Sequence, residues 1–295
     1  MWDKKVKEIM TKCGYVGVIG KTNAGKSTLV NTLVGEKVAI VTPKTQTTRS
    51  NIIGILTENN AQIIFVDTPG IHKSRNQLDK AMMKSVRGAI SYVDIILFII
   101  DGTRKLDLSE IEYIKKLSEK PIIVGVSKTD IAKKENVIQI LTRLGAIDNI
   151  LSIIPFSSNE NNNIDVLKKE IIKVLPNRNF EYDSDMYTDS TVRFMSEEII
   201  REKAMMALRE ELPHGVKVEI TNFDETNNKV TYIDADLICE KDSHKGIVLG
   251  KNGENIKKIA SEARLDIENL LNKKIMLKIW VKVIKNWRQN QNNMV

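Results

Sequence analysis

The sequence predicts a doubly wound, mostly parallel α/β domain followed by a smaller α+β domain, and three observations predict it. From Tyr15 to about Leu175, short β-branched runs alternate with longer amphipathic stretches, the pattern of a parallel sheet covered by helices. Between Pro176 and Asp189 that periodicity fails and Asn, Asp, Ser and Tyr take over. Beyond it the apolar pattern resumes in another order, and 295 residues leave room for two cores.

In the first domain Tyr15–Ile19, Asn51–Leu56, Ile63–Val66, Ile95–Ile100, Ile122–Val126 and Ile150–Ile154 read as strands. Several are apolar throughout, as expected when both faces of a sheet are covered. In the second, Ser196 to Leu212 carries Ile199, Ile200, Met205, Met206 and Leu208 at helical spacing and stops at Pro213. Val216–Ile220 and Val230–Ile238 flank an Asn227–Asn228 turn, two helical stretches surround Gly250 to Gly253, and Ile275–Ile284 closes as a strand. The order is αββααβ. The boundaries expected are 1–178 for the first domain, 179–193 for a linker, 194–288 for the second domain and 289–295 for a tail, with fraying from Asn286 onward.

Composition narrows the class. With 42% hydrophobic and 28% charged residues, 6 Pro and 15 Gly, the chain reads as folded rather than disordered or fibrous. A net charge of +7 favours an anionic partner without choosing between nucleic acid and membrane. Cys13 and Cys239 are too few and too far apart for a metal knuckle or a disulfide framework. Met1 to Lys12 lacks the unbroken apolar stretch of a signal peptide, and the longest apolar run, Ile95–Ile100, is far short of the ~20 residues that cross a bilayer. The expectation is a cytoplasmic protein.

The first chemical motif is Gly20-Lys21-Thr22-Asn23-Ala24-Gly25-Lys26-Ser27, with Thr28 following, placed where a strand ends and a helix begins. This is P-loop spacing. Its glycines let backbone N–H groups point inward, and the following helix adds the positive end of its dipole to hold a polyphosphate. Lys26 is expected on the β and γ phosphates and the Ser27 hydroxyl on Mg²⁺. Asp67-Thr68-Pro69-Gly70 follows the strand Ile63–Val66, which places Asp67 toward the same cation and the Gly70 N–H against the γ-phosphate. Ser127-Lys128-Thr129-Asp130 ends another strand, where guanine-binding proteins carry Asn-Lys-x-Asp. The Asp130 carboxylate can accept from guanine N1–H and N2–H₂, a pair adenine lacks, which favours GTP and GDP over ATP. Ser127 replaces an amide by a shorter hydroxyl, a loss of about 0.5–1.5 kcal/mol if one neutral hydrogen bond goes. Phe156-Ser157-Ser158 reads as a further loop closing over the base.

Gly250-Lys251-Asn252-Gly253, between Ile247-Val248-Leu249 and the basic Ile256-Lys257-Lys258-Ile259, reads as the GXXG loop of a KH domain. Lys251, Lys257 and Lys258 can neutralise phosphates there. Glu240 to Arg288 holds 12 basic and 6 acidic residues, a net of +6, which puts most of the chain's excess charge in this module. Trp280, inside an apolar strand, is expected in the core; Trp287 divides evenly between core and base stacking. His72, His214 and His244 have no carboxylate or Cys at ligand spacing and read as surface histidines.

Val41-Thr42-Pro43-Lys44-Thr45-Gln46-Thr47-Thr48-Arg49 is a hydroxyl-rich loop before the second strand. Its Gln46-Thr47-Thr48-Arg49 resembles the effector loop of the Era family of ribosome-assembly GTPases, and the resemblance runs from the P-loop to Trp287, including Arg209-Glu210-Glu211-Leu212-Pro213 and Gly246 to Gly253. It implies an Era-type P-loop GTPase domain followed by a type II KH domain. It also implies Thr48 as a ligand of Mg²⁺, with Lys26, Thr48 and Gly70 as the groups that serve hydrolysis. Ile71 stands where Ras-like proteins carry a water-positioning Gln. The chain is therefore similar to GTPases with a hydrophobic residue there, some of which hold K⁺ beside the phosphates; Asn23 matches the asparagine they use. Thr22, Ala24 and Ser127 depart from the family's common Pro, Val and Asn. The resemblance further implies a monomer that grips small-subunit ribosomal RNA near its 3′ end and releases it after hydrolysis. Peripheral contact with the inner face of the cell membrane is left open. The rival readings are a P-loop kinase or ATPase, and an RNA scaffold that holds nucleotide without cleaving it.

Overall fold

The computed structural model describes residues 10–74, 76–117, 119–209 and 212–289. The expectations for residues 1–9, for Glu210 and Glu211, and for the tail from 290 lie outside these residues.

Six strands, β1 (Lys12–Gly20), β2 (Ile52–Glu58), β3 (Ala61–Asp67), β4 (Ile95–Asp101), β5 (Ile122–Ser127) and β6 (Ile150–Pro155), form one sheet in the order β2-β3-β1-β4-β5-β6. Only β2 runs antiparallel, against β3. Five helices accompany them: α1 (Lys26–Val34), α2 (Gln77–Tyr92), α3 (Leu108–Lys116), α4 (Lys134–Leu144) and α5 (Ile164–Val174). Every residue of β3, β4 and β5 is buried, which is why those segments read as continuous apolar runs rather than alternating ones. Val16, Val18, Phe65, Leu97, Ile99 and Phe156 meet Leu29, Leu167 and Ile171 in a shared core. Each such side chain contributes about 1.5–3 kcal/mol by leaving water. The chain passes from β1 to β3 on one side and β4 on the other, so the crevice past the carboxyl end of β1 is the switch point of the sheet, where ligands of open α/β sheets bind.

The stretch after α5 contains no helix or strand among its described residues until α6, yet it is pinned. Gln62 Oε1 accepts from Glu181 N at 2.9 Å and Tyr182 N at 3.1 Å, Ile55 N donates to Tyr187 O at 2.8 Å, and Thr188 Oγ1 donates to Ile53 O at 2.6 Å. The segment thereby covers the free edge of β2, an edge that would otherwise offer unpaired backbone groups.

The C-terminal elements are α6 (Val192–Ala207), β7 (Lys217–Asp224), β8 (Val230–Cys239), α7 (Asp242–Leu249), α8 (Glu254–Leu271) and β9 (Lys274–Val283), the αββααβ order read from the sequence. β7 is antiparallel to β8, and β8 is parallel to β9. Helix α6 begins and ends earlier than expected. The Thr191 hydroxyl accepts from Phe194 N and caps its start, and Leu208 is already extended, well before Pro213. Trp280 corrects the core expectation: it is 61% exposed. Ile275, Leu277, Ile279 and Val281 face inward, so strand parity sends Trp280 out with Lys278 and Lys282. Trp287, by contrast, is 2% exposed.

The compact units of the chain do not follow the linear boundaries. One holds the chain up to Val38, Ser50–Ile71 and Ser85–Asp189; the other holds Ala39–Arg49, His72–Lys84 and the chain from Ser190. Two segments from the first half thus pack with the C-terminal module.

Candidate functional site

The P-loop leaves β1 at Gly20, where a Cβ would lie 2.3 Å from Ile99 O, so no larger residue fits between β1 and β4. Asn23 and Gly25 take positive φ, and α1 starts at Lys26. Lys26 Nζ curls back to donate to Lys21 O at 3.0 Å and Gly20 O at 3.2 Å. Burial pulls its ammonium down to about 8, partly opposed by Asp67, and a phosphate beside it would push the value back up. Ser27 Oγ donates to Asp67 Oδ2 at 2.6 Å, which brings the two expected cation ligands together from α1 and the end of β3. A hydroxyl and a carboxylate form the hard oxygen donor set that suits Mg²⁺. Thr68 Oγ1 donates to Val18 O at 2.8 Å, and Ile71 N to Gly20 O at 3.0 Å. The Gly70 segment therefore lies on the P-loop so closely that a Cβ there would sit 2.6 Å from Thr22 Cα.

The far side of the crevice is built from the ends of β5 and β6. Thr129 N donates to Phe156 O at 3.3 Å, joining the two expected base loops. Asp130 Oδ1 is buried and has no hydrogen-bond partner among the described residues. Ser127 is 2% exposed; its Oγ lies 2.7 Å from Ala24 O and 3.1 Å from Ile100 O. Its proton therefore ties β5 to the P-loop backbone rather than reaching a base. Lys128 Nζ donates to Asn23 O at 2.7 Å and to Asp101 Oδ2 at 2.6 Å. Burial pushes Asp101 up, but the bonds from Lys128 and Thr103 outweigh it and hold the carboxyl below its ordinary value. Ser157 is fully buried, and its backbone and hydroxyl close its own loop on Asn162 and Glu160. Ser158 remains half-exposed.

Thr48 lies in the other unit, 8% exposed, and its neighbours are tied down there. Arg201 Nη2 donates to Thr47 O at 2.6 Å. Arg49 donates to Val216 O at 2.7 Å and His214 O at 3.1 Å, and its guanidinium stacks 5.6 Å from the Trp287 ring centre. Val41 N donates to Glu202 Oε1 at 2.9 Å. His72 corrects the surface reading: its Nε2 lies 3.2 Å from Asp79 Oδ1, the same oxygen that accepts Gln46 Nε2 at 3.0 Å. His214 and His244 are half-buried rather than surface residues. Sequence reasoning missed Arg49, Arg201, Asp79 and Trp287 as a set because their contacts span up to 238 positions of chain. Asp79 alone carried a signal, a carboxylate in the first turn of an amphipathic helix.

In the C-terminal module, α7 closes on Gly250 (φ 73°), where a Cβ would meet Asn255 N at 2.9 Å. Asn252 and Gly253 also take positive φ, and α8 starts directly after them. Lys251, Asn252, Lys257 and Lys258 are exposed beside this turn, so the loop and its lysines share one accessible patch.

Residues 15–128 match the family model described as 50S ribosome-binding GTPase, and residues 211–288 match the KH domain model. Fold and site thus define a P-loop GTPase joined to a KH domain. GTPase Era of Clostridium botulinum (strain Alaska E43 / Type E3) is 42% identical over 285 residues, covering 96% of this chain and 97% of that protein. GTPase Era of Clostridium novyi (strain NT) is 42% identical over 284 residues, covering 95% and 96%. The chain belongs to the Era family of GTPases. Among solved structures, Era in complex with MgGDPNP and nucleotides 1506–1542 of 16S ribosomal RNA superposes with a TM-score of 0.92 at 36% identity, covering 96% of this chain and 97% of that one. A variant of Aquifex aeolicus Era bound to GDP·AlF4⁻ gives a TM-score of 0.91 at 36% identity and the same coverage.

Proposed function

We propose that this chain binds GTP with Mg²⁺, hydrolyses it to GDP and phosphate, and uses the two states to grip and release the 3′ region of small-subunit ribosomal RNA during small-subunit maturation in the cytoplasm. The observation that carries the nucleotide reading is the buried, unpartnered Asp130 Oδ1 at the far end of a crevice whose near end is a P-loop. An acceptor left this way in a folded protein costs about 1–3 kcal/mol and points to a ligand that donates to it. Guanine does, through N1–H and N2–H₂.

Ser27 and Asp67 are the residues that would hold Mg²⁺, with Thr48 added as a ligand by the family resemblance alone, and the ion would neutralise charge developing on the phosphates. Lys26 binds and orients the β and γ phosphates. Ser127 and Lys128 hold the P-loop and the base loop in register, and Ser158 and Thr129 border the base. The RNA module presents Gly250 to Gly253 with Lys251, Lys257 and Lys258; glycines allow close approach of a sugar-phosphate backbone, and the lysines release counterions from it. The Era structures solved with MgGDPNP and a 16S ribosomal RNA fragment and with GDP·AlF4⁻ support this reading.

The test combines single-turnover GTP cleavage with binding of a labelled 16S 3′-terminal RNA in the presence of GDP or GDPNP. Cleavage together with tighter RNA binding in one nucleotide state is expected. Nucleotide binding without cleavage would turn the protein into a scaffold and end the switch reading.

A further inference from the structure

The segment carrying Thr48 and the start of α2 converge on one buried side chain of the C-terminal module. Trp287, four residues past the end of β9, is 2% exposed and donates its Nε1–H to Gly215 O at 3.1 Å. Arg49 covers its ring face at 5.6 Å, while Leu78 and Met82 of α2 and Ile238 of β8 pack around it. Asp79, one residue after Leu78, ties Gln46 and His72 together through a single carboxylate oxygen, at 3.0 and 3.2 Å. All these residues belong to one compact unit.

We propose that Trp287, with Arg49 on its face and Leu78 and Met82 against it, is the joint through which both nucleotide-responsive segments set the state of the RNA-binding module. The inference rests on the function proposed above. Thr48 sits between two anchors: Thr47 O is held by Arg201, and Arg49 is held on Val216 O and His214 O. A residue of extended chain spans at most about 3.6 Å, so there is no slack between Thr48 and either anchor. Moving Thr48 toward or away from a cation must strain or shift the Arg49 fork. Two carbonyl acceptors and a ring face give that fork a seated and an unseated state rather than a continuum, which is what a transmitting element requires. The second segment follows directly on Gly70 and Ile71, and α2 brings it to the same indole. On the other side, β9 is paired in parallel with β8 and follows α8, which starts directly after the Gly250–Gly253 loop. A ligand on either side changes the other's affinity by the same factor.

The experiment measures that factor in the full chain. Affinity for the labelled 16S 3′-terminal RNA is determined with GDP and with GDPNP plus Mg²⁺, and GDPNP affinity with and without the RNA. Arg49→Lys keeps the charge but loses the fork and the stack; Met82→Ala loosens the other side of the indole; Met206→Ala, at an exposed position, is the control. The unaltered protein and the control are expected to show coupling within the usual range of about 5–150-fold. Both joint variants should fall below twofold while each ligand alone binds within about threefold of its original affinity. Retention of the full factor in both variants overturns the proposal, as does equal loss of both separate affinities, the mark of a merely structural role. Should one variant fail to fold in a circular-dichroism melt, the other decides alone. A protein that binds both ligands without coupling overturns the joint and leaves the binding roles standing; one that binds neither removes the proposed function itself.

Discussion

Asp130 and Ser127 sit three residues apart and do different work. Asp130 holds out an oxygen with no hydrogen-bond partner among the described residues, whereas Ser127 has spent its proton on the P-loop backbone. Asp130→Asn is therefore expected to move preference from GTP toward xanthosine triphosphate, because half of the acceptor becomes a donor; competition against labelled GDP reads the shift, and an unchanged preference refutes the assignment. Ser127→Ala should weaken all purine nucleotides together, leave the GTP-to-ATP ratio unaltered, and cost about 1 kcal/mol of stability, since buried carbonyls lose a donor. Nucleotide titrations and denaturant melts check both halves. Asn23 is exposed in the P-loop and takes a positive φ. If it lends its amide to a monovalent cation, cleavage is faster in K⁺ than in Na⁺ and Asn23→Ala levels the two; equal rates in the unaltered protein end that role. The identity of Asp130 was legible from spacing alone. The task of Ser127 was not, because the carbonyl it satisfies lies 103 positions earlier in the chain.

The turn between α7 and α8 shows what an element adds to its residues. Gly250 has no room for a Cβ beside Asn255, so the turn is tight by construction, while Lys251 and Asn252 stay exposed at its tip. Lys251→Glu with Lys257→Glu should cut RNA affinity and flatten its salt dependence, each lost phosphate contact reducing the slope by about 0.7–0.9, while GTP cleavage is spared. Filter binding over a salt series measures this, and an unchanged slope removes the lysines from the interface. The edge strand β9 teaches the opposite lesson. Its apolar run suggested a core Trp280, but lysines at alternate positions already marked the outward parity that exposes it.

Among the described residues one buried cluster lies under the six-stranded sheet and another under β7, β8 and β9. GDP with Mg²⁺ at 100 times its dissociation constant should stabilise the protein by about 2.7 kcal/mol, and chelation of the metal should remove most of that gain. Calorimetric melts in the two conditions test it; an equal shift without Mg²⁺ would exclude Ser27 and Asp67 as cation ligands. No helix among the described residues is long and apolar enough to cross a membrane.

The sequence by itself indicated the succession of strands and helices, the P-loop, the Asp67 and Asp130 motifs and the GXXG turn, because each is a local pattern in which neighbours along the chain are neighbours in space. Only the tertiary structure decided that Ala39–Arg49 and His72–Lys84 belong with the C-terminal module, and that Arg49, Leu78 and Trp287 from three distant stretches meet. Periodicity reports which face of an element is apolar. It carries no information on which other apolar face will cover it, and that pairing places Leu78, Met82 and Arg49 on Trp287.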